Sequence, residues 1–323
     1  MLVVTGGAGF LGSAVIWKLN EAGRKDILVV DALGSGEKWR NLVNRSFADF
    51  LHKDEFLRRL RQGGDPFGVT AVVHMGACSA TTERDADFLH ENNTRYTTEL
   101  CRFCLEHGAR FVTASSAATY GDGSRGFDDG PEGLDRLRPL NMYGYSKHRF
   151  DLTARDNGWL NSIASLKFFN VYGPNEYHKG DMRSVACKSF EQIRDTGGVR
   201  LFRSHRPDYA DGGQLRDFVS VKDCAEVVAW LLEHPEANGV FNVGTGAARS
   251  FTDLALAVFE AMGAPPRIEY VDIPEQIRDR YQYYTQAPVD RLRAAGYRGP
   301  FASLEEGVRD YVRNHLLAED PYL

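Results

Sequence analysis

Cysteine is scarce in this chain, with five in 323 residues, at positions 78, 101, 104, 187 and 224. An odd, thinly spread set makes no disulfide framework and fits a reducing compartment. Long apolar runs are missing too, and none approaches the ~20 residues that a membrane-spanning helix needs. The opening MLVVTGG runs straight into a strand and turn, without the basic start, apolar middle and small-residue cleavage site of a signal peptide. This argues for the cytoplasm and against export or a membrane partner. Nor is there a basic surplus. With 39 Lys and Arg against 44 Asp and Glu the net charge is −5, so no nucleic acid is expected as partner. Internal repeats, low-complexity tracts and flexible linkers are absent, and at ~100–200 residues per domain the length suits two domains, or one large one with an elaborated end.

Glycine is what the chain has in excess: 32 of 323 residues, about 10% against a usual ~7%. Its meaning depends on where the glycines fall. In the first half, short β-branched runs at Leu2–Thr5, Ile27–Asp31, Ala71–His74 and Arg110–Ser115 alternate with longer helical patterns. That rhythm predicts βαβ units and a parallel sheet. Gly23 and Gly108 stand where helices should stop. A further strand is expected at Ile163–Phe169, after a helix beginning near Tyr145. Beyond residue 170 the pattern loosens into a Gly/Pro turn, a helix around Ser184–Thr196 and a polar stretch from Arg203 to Gln214. Regularity returns with a strand at Asp217–Val221, a helix to Glu233 and a strand at Val240–Val243. The chain is expected to leave the sheet, build part of a second lobe, and return.

Thr5-Gly6-Gly7-Ala8-Gly9-Phe10-Leu11-Gly12 follows the first strand and precedes an amphipathic helix. Gly6, Gly9 and Gly12 permit a tight turn, close approach of a pyrophosphate and close helix–strand packing, while the helix N-terminus supplies N–H donors. Asp31 lies 19 residues after Gly12, at the end of the second strand, where a carboxylate can accept from an adenosine ribose. Alone it favours NAD. Lys38 and Lys53 can neutralise a phosphate on that ribose or be ordinary surface lysines, so the residues leave NAD and NADP both open.

Ala114-Ser115-Ser116-Ala117-Ala118 ends the strand that starts at Arg110, and Tyr143-Gly144-Tyr145-Ser146-Lys147 opens a helix. Ligands of open α/β sheets gather at such strand ends. Tyr143 and Lys147 share a helix face. A nearby ammonium, with the positive charge of an oxidised nicotinamide, is expected to draw the phenol pKa down towards neutrality and make Tyr143 an acid/base. Ser116 would steady the same substrate oxygen.

Taken together, TGGAGFLG, SSAATYG, YGYSK and FFNVYGP resemble the extended short-chain dehydrogenase/reductase family, whose members act on nucleotide-linked sugars, and the resemblance spans nearly the whole chain. It implies a Rossmann-type doubly wound parallel sheet with a smaller interleaved α/β substrate-binding domain. The expected division is residues 1–169 plus 216–247 for the dinucleotide and 170–215 plus 248–323 for the substrate. DILVVDALGSGEKWRNL, HMGACSATTE, FNVYGPNEYHKG and RYQYYTQA narrow the likeness to nucleotide-sugar epimerases that invert C6 of an ADP-linked heptose with tightly bound NADP, supplying heptose for lipopolysaccharide core. A homo-oligomer, even a pentamer, is implied as well.

By that resemblance Tyr143 and Lys179 match the two acid/base positions. Phe10 and Leu11 match the pyrophosphate turn, and Asp31, Ala32, Lys38 and Lys53 the adenosine-phosphate region, where Ala32 replaces a commoner asparagine. Met75, Gly76, Ala77, Cys78, Ser79, Asn92, Lys147, Val171 and Lys179 match cofactor-lining positions. Asn170, Asp181, Lys188, Phe202, Arg203, Ser204, His205, Arg216 and Tyr281 match contacts to the nucleotide sugar, with Asp181 and Lys188 departing from the serine and histidine of some relatives. Arg216 suits a diphosphate. Lys179 has a second reading, as a binding contact, and Arg203–Gln214 is a flap or simply a solvated loop.

A 4-epimerase sharing cofactor and tyrosine is the nearest alternative activity. A dehydratase is disfavoured because Ala117-Ala118 offers no carboxylic acid to expel water. A non-catalytic dinucleotide-binding protein is disfavoured by the presence of both Tyr143 and Lys147. Cys101 and Cys104 are read as helix packing, His74 as a satisfied core histidine, and no metal is expected. Arg278, Arg280 and Tyr281 form a polar-aromatic cluster that is either a solvated face or a ligand contact.

Overall fold

The computed structural model describes residues 1–278 and 281–323, with the backbone alone at 276 and 277. Its main sheet has seven strands: β1 Leu2–Thr5, β2 Ile27–Asp31, β3 Asp49–His52, β4 Ala71–His74, β5 Arg110–Ser116, β6 Ile163–Phe168 and β10 Gly239–Val243. The order is β10-β6-β5-β4-β1-β2-β3 and every pairing is parallel. Strands β1, β2 and β4 are buried throughout, which is why they read as unbroken β-branched runs. The chain turns one way from β1 to β2 and the other way to β4, so a crevice opens at the carboxyl end of β1.

Helices Phe10–Glu21 and Val221–Glu233 cover one face of the sheet around Ala14, Ile16, Val227 and Leu231; Tyr96–Glu106 and Met142–Asp156 cover the other around Leu100, Cys101, Cys104 and Phe150. Both cysteines are therefore core residues. A third apolar cluster joins helices Val185–Thr196, Phe251–Met262 and Leu304–Tyr311. Beside it, β7 Asn170–Tyr172, β9 Leu215–Ser220 and β11 Ala248–Ser250 form a small sheet, and β8 Val199–Phe202 pairs with β12 Ile268–Val271. The expected helix near Tyr145 begins three residues earlier, at Met142, because Asn141 caps it by accepting from the Gly144 N–H at 2.8 Å. Among the described residues no helix is long and apolar enough to cross a membrane.

Candidate active site

Two glycines in the first turn are forced by contact. A Cβ on Gly6, whose φ is +64°, would sit 2.5 Å from the backbone of Gly76, and one on Gly12 would sit 2.1 Å from the Gly6 carbonyl oxygen. The turn is thus pressed between β4 and the helix that Gly9 caps. The first N–H groups of that helix have no carbonyl four residues back inside it, and the helix dipole favours an anion there. This cradle fits a dinucleotide pyrophosphate.

Asp31, buried at the end of β2, accepts from the Ala8 N–H at 2.9 Å, the Ala32 N–H at 2.7 Å and Lys38 Nζ at 2.5 Å. Its carboxylate therefore fastens the glycine turn to the second strand and already carries a cation. Lys53 Nζ donates to Asn92 Oδ1 at 2.7 Å. Both lysines line the cavity and are partly exposed.

All the residues expected to hold the cofactor, from Gly6 to Lys179, line one cavity of about 560 Å³ at the carboxyl ends of β1, β2, β4, β5 and β6, and Ser116, Tyr143, Lys147 and Lys179 line it too. That volume lies in the ordinary range of small-molecule sites. Ser116, where β5 ends, caps the following turn by accepting from the Ala118 N–H at 3.1 Å. Tyr143 stands in the first turn of its helix. Lys147, one turn on and buried, donates to the Ala114 carbonyl at 2.8 Å. Burial lowers the Lys147 ammonium pKa to about 8, against an opposing pull from Asp151.

In the protein chain by itself the Tyr143 phenol is not drawn towards neutrality; burial pushes its pKa up, and the neighbouring Ser116 hydroxyl is the group that pulls it back. The Lys147 ammonium is occupied by the Ala114 carbonyl instead.

Lys179 lines the same cavity from the 173–184 segment, with its Nζ 5.0 Å from the centre of the Phe10 ring. Burial lowers its pKa, with Glu176 opposing. Three neighbours that the sequence did not single out hold this segment. Asn175, fully buried with φ +75°, donates to Ser13 Oγ at 2.9 Å and accepts from the Leu323 N–H at 3.0 Å. Glu176, also fully buried, accepts from Ser184 Oγ at 2.7 Å and from the Tyr311 hydroxyl at 3.1 Å. Lys179 N–H closes the turn onto the Glu176 carbonyl at 3.0 Å. His178 lines the cavity beside Lys38 and Lys179, and burial followed by those two charges lowers its pKa to about 4. The available signal was a run of unusual polar residues, Asn175-Glu176-Tyr177-His178, directly after a Gly-Pro turn.

The residues expected to touch substrate do not gather in that cavity. Asn170 is exposed on β7 and Asp181 is exposed, its carbonyl receiving Lys188 Nζ at 2.5 Å. Arg203 is turned towards Asp272 at 3.1 Å, Ser204 Oγ donates to the Arg206 carbonyl at 2.8 Å, and the His205 N–H donates to the Tyr283 hydroxyl at 2.9 Å. Phe202 packs edge-on to Tyr281. Arg216 is buried between the rings of Phe251 and Tyr281 and donates to the carbonyls of Leu215 and Gln282. Tyr281 lines a second cavity of about 410 Å³ with Arg206, Tyr283 and Tyr284. Arg280 lies outside the described residues, and Arg278 donates to the Ile273 carbonyl at 3.3 Å. His74 is a core residue, bonded to the hydroxyls of Thr5 at 2.6 Å and Thr97 at 2.8 Å, and burial holds it far below the usual imidazole range.

Comparison with known proteins agrees with this geometry. Residues 2–244 match the model of the NAD dependent epimerase/dehydratase family. The ADP-L-glycero-D-manno-heptose-6-epimerase of Nitratidesulfovibrio vulgaris strain DP4 is 63% identical over 323 residues, covering 100% of both chains. The crystal structure of the Helicobacter pylori ADP-L-glycero-D-manno-heptose-6-epimerase superposes with a TM-score of 0.80 at 26% identity, over 97% of this chain and 95% of that one. Thermus thermophilus UDP-glucose 4-epimerase, solved in complex with NAD, gives a TM-score of 0.74 at 28% identity over 96% and 97%. This chain, with its glycine turn, its acidic second-strand end and its Ser–Tyr–Lys set around one cavity, belongs to the NAD dependent epimerase/dehydratase family.

Proposed function

We propose that this protein interconverts ADP-D-glycero- and ADP-L-glycero-D-manno-heptose by transient oxidation at C6, with NADP held in the 560 Å³ cavity. The observation that carries the reading is that two proton carriers from distant parts of the chain, Tyr143 and Lys179, line the same cavity as the glycine turn. The full-length relative at 63% identity supports the choice of substrate.

Bound in this cavity, a nicotinamide dinucleotide would supply reversible hydride exchange with C6. The chain's residues handle the proton and the geometry. Tyr143, with Ser116 beside it, takes the C6 hydroxyl proton as the carbonyl forms. Lys179 works at the other face, where burial makes its neutral amine accessible and lets it act as base or acid. Each passage leaves Tyr143 with one proton more and Lys179 with one fewer, and proton exchange with solvent, or the reverse passage, restores them. Lys147 fixes the strand end through Ala114, one helical turn after Tyr143. Arg216, buried with aromatic rings on both sides, is the proposed diphosphate contact, and the 203–214 loop with Tyr281 the nucleotide-side wall.

NADP is preferred over NAD because Lys38 and Lys53 both reach the rim where Asp31 stands, and the Asp31 carboxylate is already engaged by two N–H groups and Lys38. The same proposal includes the division into a dinucleotide domain, residues 1–169 plus 216–247, and a substrate domain, residues 170–215 plus 248–323, a cytoplasmic location and a homo-oligomer. Tyr143→Phe should keep its cofactor, identified by mass after denaturation, and lose epimerisation by orders of magnitude; Lys179→Met should do the same. Unchanged turnover in Tyr143→Phe contradicts the acid–base assignment, and near-normal inversion in Lys179→Met returns that lysine to a binding role.

A further inference from the structure

On the helix that carries Tyr143 and Lys147 lies a buried charge cluster that the chemistry above does not use. Asp151 follows Lys147 by one helical turn, as Lys147 follows Tyr143, so the three share one face of the helix Met142–Asp156. Asp151 is fully buried. Its carboxylate accepts from Ser115 Oγ at 2.7 Å and from Ser165 Oγ at 2.8 Å, and Lys167 Nζ lies 3.6 Å away. Lys167 is fully buried too, stands beside Ser115 in the β5–β6 register, donates to Thr119 Oγ1 at 2.7 Å and sits 4.4 Å from the centre of the Tyr120 ring. Two opposite charges at such depth cost several kcal/mol each to desolvate, and pure packing residues of the same size would avoid that cost.

We propose that Asp151, balanced by Lys167, is a positioning residue for Lys147: one helical turn away, its negative charge keeps the Lys147 ammonium on the Ala114 carbonyl, at the strand end that carries Ser116. This rests on the reading of Tyr143 and Lys147 given above. Burial works against the Lys147 charge, and Asp151 is the main group that works for it. The other groups facing this cluster are few. His148 and His74 are both held neutral by burial, and the Cys78 thiol adjoins Lys147 and Tyr143. Asp129 acts on Lys167 and on the buried Tyr120 phenol from the far side.

The sign of the effect separates this role from a structural one. Loss of the Lys147 proton sets the alkaline limb of kcat. Asp151→Asn should move that limb to lower pH by about one to two units, the scale of one neighbouring charge at a partly screened site. Lys167→Met should move it to higher pH, and the double variant should fall between the two. Titration of the Lys147 Nζ by NMR in the substrate-free protein, assigned through Lys147→Arg, should follow the same order. If Asp151→Asn fails to fold, Lys167→Met carries the test. An unmoved limb in either folded variant, or movement of both in one direction, overturns the proposal whatever happens to stability. A Tyr143→Phe control that still turns over defeats the acid–base reading itself; an inactive control with an unmoved limb defeats only the role of Asp151.

Discussion

Asn175 offers the sharpest test of how the Lys179 segment is held. It is the one non-glycine with positive φ among the described residues, at +75°. Its side chain spends its donor on Ser13 Oγ, in the helix behind the glycine turn, and its acceptor on the Leu323 N–H. Asn175→Gly removes both bonds and keeps the backbone shape. Ser13 Oγ retains its bond to the Phe10 carbonyl, so the loss should be near the low end for buried partners, about 2–3 kcal/mol in all. Asn175→Ala removes the same bonds and adds left-handed strain of ~1–2 kcal/mol, against which stands the ~0.4–1 kcal/mol that glycine's freer unfolded chain costs the first variant. The alanine protein should therefore be the less stable by about 1 kcal/mol, even though alanine is the better residue almost everywhere else. Urea unfolding of the two variants measures the difference. Alanine equal to or more stable than glycine would refute the strained turn. Both variants should lose turnover in step with the displacement of Lys179.

Asp129, buried and bonded to the Asn242 N–H at 2.7 Å, has its pKa raised to about 6 by burial. A carboxyl raised on folding contributes stability below its unfolded pKa of ~3.9 that is lost as pH climbs through the folded value. Asp129→Asn should therefore flatten the stability profile between about pH 4 and 6 and gain up to ~3 kcal/mol at pH 8; a variant less stable at pH 8 than the parent would contradict this. Lys38→Ala and Lys53→Ala should each weaken NADP retention roughly tenfold or more while sparing NAD. Equal loss of both dinucleotides, measured by equilibrium dialysis, would remove the case for a 2′-phosphate.

What could be read from the sequence was what is local. The strands at β1, β2 and β4 announce themselves because all their side chains are buried, and the glycine turn because its geometry depends on residues within one strand–helix junction. Strand β3 escaped notice, since Asp49 and His52 are exposed at a sheet edge and only Phe50 and Leu51 are apolar. The short strands β7, β8, β11 and β12 carry weak patterns and exist through pairing with distant segments. The same distinction runs through the site. Ser116, Tyr143 and Lys147 were legible in two short motifs. Asp151 and Lys167 were not, although a lysine inside Ile163–Phe168 breaks an apolar run, because their meaning lies in Ser115, Ser165 and Thr119 across the sheet. The substrate side was read from resemblance alone, and its charged members are engaged with neighbours that no local pattern names.

Inversion at C6 is the defining step of the proposed reaction. Purified protein incubated with ADP-D-glycero-D-manno-heptose, followed by NMR of the C6 configuration with UDP-galactose in parallel, tests it directly. A mixture of the two heptose epimers with untouched UDP-galactose is expected; inversion of UDP-galactose with unchanged heptose would overturn the C6 assignment.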